Sequence, residues 1–120
     1  MKKKLLLILV LILFVGIGQL SHGRGRVRFS SDMDLEFNNS TKLLSVHIHH
    51  RVNNPRRNYI AHVTVILNKV QKIEQYLSRQ DDNTGLSLSY KLPGAKAGDV
   101  IKVTAKTNRN LLFRKKLRVQ

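Results

Sequence analysis

The chain of 120 residues contains no cysteine. This absence excludes disulfide bonds and every chemistry that depends on a thiolate, whether nucleophilic catalysis or metal binding through sulfur. Tryptophan is absent too, and only 7 acidic residues stand against 22 lysines and arginines. Such a chain attracts anions and anionic polymers, and its core alone must stabilise the fold.

The first 23 residues have the organisation of a secretory signal peptide. Residues 1–4 form a short basic segment and residues 5–17 are almost entirely apolar. Ser21 and Gly23 then place small residues at the −3 and −1 positions of a cleavage site. The sequence therefore predicts a signal peptide cut before Arg24 and a periplasmic or secreted bacterial location. The alternative is a retained anchor, the one expected route to a membrane, although the apolar run is shorter than the roughly 20 residues of a spanning helix.

The exported part of the chain remains strongly basic. Residues 24–120 keep 19 lysines and arginines against 7 acidic residues. Export moves the expected partner away from cytoplasmic nucleic acid and towards an acidic periplasmic protein, with envelope polymers and small oxyanions as further candidates. Residues 24–33 are basic and contain glycine, so we expect a flexible lead-in to a domain over residues 34–120.

Apolar and polar residues alternate with a period of two along most of residues 34–120, which predicts β-strands. Turn-forming residues separate the alternating segments, and Asn68 with Lys69 is one turn candidate. With no helical period present, the pattern predicts an all-β, immunoglobulin-like antiparallel β-sandwich of about seven strands. The predicted strands cover residues 44–50, 59–67, 70–77, 86–92, 101–106 and 111–119, after a weak first strand around 26–29 or 34–37.

Alternation also assigns each side chain to one face of its strand. Within residues 59–67, strict alternation places Val63 and Val65 on one face and Ile60 with His62 on the other. We therefore expect Ile60 to lie on the face opposite Val63.

Four of the five histidines lie between residues 47 and 62, and imidazole is a common metal ligand. His47 and His49 share a strand face about 7 Å apart and, with His50, are the candidate ligands of a weakly bound divalent metal. In the alternative interpretation, His47 and His49 are solvated, His50 is hydrogen-bonded at the strand end and His62 packs. No acidic residue or nucleophile elbow lies near them in sequence, so we predict no catalytic residue and no tightly bound cofactor.

The last predicted strand carries the densest cluster of positive charge. Leu111, Phe113, Leu117 and Val119 face inward. The other face carries Leu112 and, in a row about 7 Å apart, Arg114, Lys116 and Arg118. These three residues are the predicted contact for an acidic partner. The alternative is a solvated strand edge protected by its charge.

Three segments resemble a known superfamily. They are the strand end at His50, the stretch NYIAHVTVILN over residues 58–68, and LSLSYKLPGAKAGDVIKVTAKTNRN over residues 86–110. They are similar to the immunoglobulin-like sandwiches that include the iron domain of desulfoferrodoxin and superoxide reductase and the Z subunit of the bacterial thiosulfate-oxidation carrier. GAKAGDVIKV is the closest match, especially to the Z subunit.

The resemblance implies that the iron ligands of this superfamily are not retained. Its iron-binding members use several histidines and one cysteine, and only His50 matches one of those positions. Asn58, or Arg57 if the alignment shifts by one residue, stands at a second histidine. Thr107 stands at the cysteine and Asn110 at the last histidine, and a threonine hydroxyl does not replace a thiolate.

These observations lead to three functional hypotheses. The first is a non-enzymatic exported protein that binds a partner in periplasmic sulfur or redox metabolism, as the resemblance to the Z subunit implies. The alternative is a metal-binding redox protein of the superoxide-reductase type with an altered site. The third is an envelope protein that holds an anionic polymer through its charge.

Overall fold

The computed structural model describes residues 28–120, so the predicted signal peptide over residues 1–23 lies outside the described residues. Within that part, every regular element is a strand. No helix there is long and apolar enough to cross a membrane. The strands are β1 Arg28–Ser30, β2 Met33–Asn38, β3 Leu43–His49, β4 Ile60–Leu67, β5 Val70–Tyr76, β6 Gly85–Lys91, β7 Val100–Thr107 and β8 Leu111–Arg118.

The strands form two sheets that pack as a sandwich, which confirms the predicted all-β fold class. One sheet has the order β1-β8-β7-β4-β5 and the other has the order β2-β3-β6. All neighbouring strands are antiparallel except β1 and β8, which are parallel. Both segments proposed for a weak first strand contain strand structure, so the described sandwich has eight strands.

The sandwich includes residues that the sequence assigned to a flexible lead-in over residues 24–33. Arg28 to Ser30 pair with the start of β8, and the side chain of Met33 is buried in the core. The chain then crosses from the larger sheet to the smaller one between β1 and β2. The sequence contains only a weak strand signal around 26–29, and the ladder partner of β1 lies more than eighty residues further along the chain.

The core lies between the inward faces of the two sheets, where alternation predicts apolar residues. Thirteen of its members lie on strands, and three lie in the segments that follow β6 and β8. The buried apolar residues of this core are Met33, Leu44, Val46, Ile48, Ile60, Val63, Val65, Leu67, Leu86, Leu92, Ala95, Ile101, Val103, Ala105, Phe113 and Val119.

A register shift in β4 corrects the predicted position of Ile60. On β7, Thr107 pairs with Ile60 and the next residue back, Lys106, pairs with His62, so Ala61 is an extra residue on β4. Such a bulge breaks the alternation of faces. Ile60 is fully buried in the same core as Val63. The prediction that these two residues lie on opposite faces is therefore wrong.

The turn between β4 and β5 forms at the predicted residues. Asn68 has a φ of 50° and Lys69 has a φ of 72°. Two consecutive positive φ angles are typical of the type I′ hairpin turn, whose twist matches that of the strands. The Asn68 side chain also accepts a hydrogen bond from the backbone N–H of Val100 at 2.9 Å. This turn is thereby joined to the first residue of β7.

Asp99 is expected to make the fold sensitive to acid. The neighbouring Asn68 side chain and a hydrogen bond from the Lys96 backbone N–H lower the pKa of this buried carboxyl from its ordinary value of 3.8. A carboxylate with a lowered folded pKa stabilises the fold above its unfolded pKa and loses that contribution as pH falls towards the folded pKa. The stabilisation is therefore present at neutral pH and declines below about pH 4.

We expect Asp99→Asn to destabilise the protein at neutral pH and to reduce the further loss of stability between about pH 6 and pH 3. Urea unfolding midpoints at several pH values measure this change. Asp32→Asn, at an exposed position, is the matched control. Parallel pH profiles for wild type and Asp99→Asn would contradict the assigned role.

Candidate functional site

One end of the sandwich holds the four residues that the sequence resemblance aligned with the iron ligands of the superfamily. His50 follows β3, Asn58 precedes β4, Thr107 ends β7 and Asn110 precedes β8. Thr107 pairs with Ile60, and the backbone N–H of Asn110 donates to the Thr107 carbonyl at 3.2 Å. The fold therefore brings together the ends of the strands that the resemblance selected.

His50 is held by Gln80, a residue that sequence analysis did not single out. The His50 Nδ1 and the Gln80 Oε1 are 2.9 Å apart, and the Gln80 Nε2 donates to the carbonyls of His50 and Asp82. An amide oxygen can only accept, so the His50 Nδ1–H donates a hydrogen bond to the Gln80 Oε1. The His50 ring also packs edge-on against Phe113. His50 is thus buried and hydrogen-bonded, as the alternative interpretation expected.

Thr107 and Asn110 have structural roles in the turn between β7 and β8. The buried Thr107 Oγ1 accepts hydrogen bonds from the backbone N–H groups of Arg109 at 3.1 Å and Leu111 at 3.0 Å. Asn110 is exposed and has a φ of 65°, a conformation that asparagine tolerates well. The Thr107 hydroxyl therefore caps a turn.

The side chains at this end of the sandwich do not supply the ligands that the iron site of the superfamily uses. Asn58 is half-buried and its Oδ1 is buried with no hydrogen-bond partner among the described residues. An amide at this position, a neutral hydroxyl at Thr107 and an exposed amide at Asn110 replace the histidines and thiolate that the superfamily uses. Across residues 28–120, no group of three or more His, Asp or Glu side chains is arranged to hold a metal ion.

His47 and His49 do lie side by side on the outer face of the smaller sheet. Their ring centres are 4.4 Å apart, and each ring has its own partner. The His47 Nδ1 lies 2.7 Å from the Ser87 Oγ, and the His49 Nε2 lies 2.8 Å from the Asp34 Oδ2. The bond to His49 lowers the pKa of Asp34. His50 lies in the interior, so the three candidate ligands do not form one site.

Replacing His47 and His49 together by alanine is expected to change the free energy of unfolding by about 0.5 kcal/mol or less. Both rings and the Asp34 carboxylate are substantially exposed, and exposed ion pairs contribute little. Urea unfolding measures the change, with Ser45→Ala on the same face as control. Micromolar zinc or copper binding that disappears in the double variant would show that this pair is a metal site.

The predicted basic row lies on the outer face of β8. Arg114, Lys116 and Arg118 are all exposed there. In the ladder with β7, Lys116 pairs with Lys102 and Arg118 with Val100. Lys102 was not among the predicted contact residues, because only strand pairing reveals that it stands beside Lys116. We call this surface, the outward side chains of β7 and β8, the basic face.

Apolar groups lie within and beside the basic face. Arg114 holds its guanidinium carbon 4.8 Å from the ring centre of Phe29, whose side chain is largely exposed. This geometry is a cation–π contact. At the other end of the face, an open depression of about 430 Å³ is lined by Ile66, Asn68, Lys69, Val100, Lys102 and Lys116.

Acidic side chains are distributed away from the basic face. Neither β7 nor β8 contains an acidic residue. On the outer face of the larger sheet, Glu74 lies on the far edge strand, β5, where its carboxylate bonds to His62 and Tyr76. His62 stacks on Tyr76 with ring centres 4.6 Å apart, which agrees with the expected packing role. No salt bridge joins an outward lysine or arginine of β7 or β8 to a carboxylate among the described residues.

Comparisons with known proteins support the fold but no activity. The sequence matches no family model, and no curated protein matches it. Among solved structures, the fold is similar to that of a superoxide reductase (neelaredoxin) from Ignicoccus hospitalis, with a TM-score of 0.50 and 11% identity. The likeness covers 82% of this chain and 87% of that one. The superoxide-reductase part of the resemblance is thus confirmed as a fold, whereas these comparisons do not support the Z-subunit part.

Proposed function

We propose that this protein is an exported, non-enzymatic binding protein that docks an acidic partner protein through its basic face. The observation that carries the proposal is the row formed by Arg114, Lys116 and Arg118, with Lys102 in register beside it and no carboxylate on either strand. The partner's surface would supply the missing negative charge.

The physical argument rests on side chains that lie outside the core and make only surface contacts, namely Arg114 with the ring of Phe29 and the Arg118 Nη1 with the Gly98 carbonyl at 3.1 Å. Arg114, Lys116 and Arg118 point away from the core, which is filled from the opposite face of β8 by residues such as Phe113. Neighbouring like charges in water repel by about 1 kcal/mol or less per pair. An acidic partner relieves this repulsion, and complementary charge accelerates the encounter of the two proteins.

The partner's place in metabolism is a finer proposal that rests on the sequence resemblance. The resemblance to the Z subunit of the thiosulfate-oxidation carrier suggests a partner in periplasmic sulfur or redox metabolism. The Z subunit has no catalytic residue of its own, and a chain without cysteine fits that pattern. Export through residues 1–23 belongs to the same proposal.

The likeness in fold to a superoxide reductase favours a second candidate, a metal-dependent redox protein. The residues at the corresponding positions argue against it, since Asn58, Thr107 and Asn110 do not supply the donors of such an iron site. Elemental analysis of the purified protein distinguishes the two candidates. Near-stoichiometric iron with a visible charge-transfer band would favour the redox protein.

A defined acidic peptide tests the binding proposal. A fluorescent peptide of about twelve alternating glutamates and threonines is titrated with protein expressed from the full-length gene. We expect binding that weakens about tenfold or more between about 50 and 200 mM salt, because contacts between exposed charges are screened. The control peptide has glutamine in place of glutamate.

Equal binding of the glutamate and glutamine peptides would overturn the proposal. A polyphosphate competitor is included because the third hypothesis concerns anionic polymers. Polyphosphate binding that is much tighter than peptide binding, at equal charge concentration, would favour an envelope polymer as the ligand instead of a protein.

A further inference from the structure

The outer edge of β8 is only partly covered by another strand. β1 pairs with Leu111, Leu112 and Phe113, and the chain then leaves for the smaller sheet. Among the described residues, no strand pairs with this edge of β8 from Arg114 to Arg118. The row of basic residues thus coincides with the part of the edge that no described strand pairs with, although β2 passes close to β8.

The direction of successive backbone groups shows which N–H and C=O groups of β8 face its unpaired edge. Just after β8, Val119 donates its N–H to the Asp99 carbonyl at 2.8 Å and accepts from the Gly98 N–H at 2.8 Å, so both groups point towards β7. Along an antiparallel strand, the residues whose N–H and C=O groups face a given neighbour alternate. The ladder between β7 and β8 is regular, so Arg114, Lys116 and Arg118 direct these groups towards the open edge.

We infer that the partner supplies an extended acidic segment that adds to this edge as a further strand. The inference rests on the proposed function and specifies how the basic face would be used. An extended segment carries every second side chain on one face about 7 Å apart, the spacing of the basic row. An added strand therefore places successive carboxylates beside Arg114, Lys116 and Arg118 while its backbone bonds to theirs.

The positive charge on this edge of β8 also favours an acidic segment over other segments as the added strand. Lysine and arginine on an edge strand normally prevent it from pairing with other strands. A second copy of this chain would bring its own basic row to the edge, and like charges directly opposite each other are unfavourable. A neutral strand would leave the row uncompensated, whereas an acidic strand turns the same charges into cross-strand pairs.

Backbone methylation of the acidic peptide tests this inference without altering the protein. Two peptides of alternating glutamate and threonine are compared, one N-methylated at the glutamates and the other at the threonines. In an added strand only one of these two sets of N–H groups faces β8. We expect one methylated peptide to bind about tenfold or more weaker than the other, because several hydrogen bonds are lost.

Two variants of the protein at Lys116 provide a second test. Lys116→Pro removes the charge and the N–H that faces the edge, whereas Lys116→Gln removes only the charge. We expect the proline variant to bind the unmethylated peptide about tenfold weaker than the glutamine variant, with both folded by circular dichroism. If the proline variant does not fold, the two methylated peptides decide the result.

Equal affinities of the two methylated peptides would overturn strand addition. If the glutamate peptide still binds better than the glutamine peptide, the proposed function survives and the partner docks on side chains alone. If neither peptide binds, the proposed function fails as well. A concentration-dependent dimer that protects the amides of Arg114, Lys116 and Arg118 from hydrogen exchange would assign the edge to a second copy instead.

Discussion

Reversing Arg114, Lys116 and Arg118 together to glutamate is expected to slow association with the acidic peptide about a hundredfold at low salt. The fold should survive, because these side chains are exposed and the inward residues of β8 are unchanged. Stopped-flow anisotropy measures the association rate, and circular dichroism checks the fold.

The matched control reverses Arg51, Arg56 and Arg79, which are exposed on the loops between β3 and β4 and between β5 and β6. Both triple variants change the net charge equally, so the comparison separates the basic face from overall charge. We expect the control to retain most of the association rate. A loss of equal size in the two variants would mean that only net charge matters, and an unchanged rate in the first variant would contradict the proposed surface.

Replacing Phe113 by alanine is expected to cost about 3–5 kcal/mol of unfolding free energy. Phe113 is fully buried among the core residues and contacts the ring of His50. Its removal leaves a cavity that a close-packed interior fills only partly. Because a domain of this size has a total stability of about 5–15 kcal/mol, the variant should be partly unfolded at modest urea concentrations.

Leu112→Ala is the control for Phe113, since the neighbouring side chain is half-buried on the other face of the same strand. We expect it to cost about 1 kcal/mol. Urea unfolding of both variants gives the comparison. Similar losses at the two positions would mean that the face of β8 carrying Phe113 is not the one that fills the core.

Alternation along the sequence was sufficient to predict most strands because burial on one face is a local requirement. The period of two located β3 to β8 to within a few residues, and the pair Asn68 and Lys69 located the hairpin turn. It also placed His47 and His49 on one face and Phe113 opposite the basic row. Each of these predictions depends only on residues that are neighbours in the chain.

Alternation failed where the backbone departed from a regular strand. The extra residue at Ala61 turns Ile60 into the core, and no residue in that stretch is glycine or proline to signal a bulge. The sequence contains only a weak signal for β1, whose three residues pair in the parallel ladder with β8. Both features depend on partners far away in sequence.

The same distinction between local and long-range features applies to the candidate sites. The sequence by itself determined the absence of a thiolate, the excess of positive charge and the period-two row of Arg114, Lys116 and Arg118, because composition and spacing are properties of the chain. Only the tertiary structure decided that Lys102 stands beside Lys116 and that the ladder between β1 and β8 ends at Phe113. Strand order and pairing bring together residues that are distant in the chain, and no local pattern encodes which strands become neighbours.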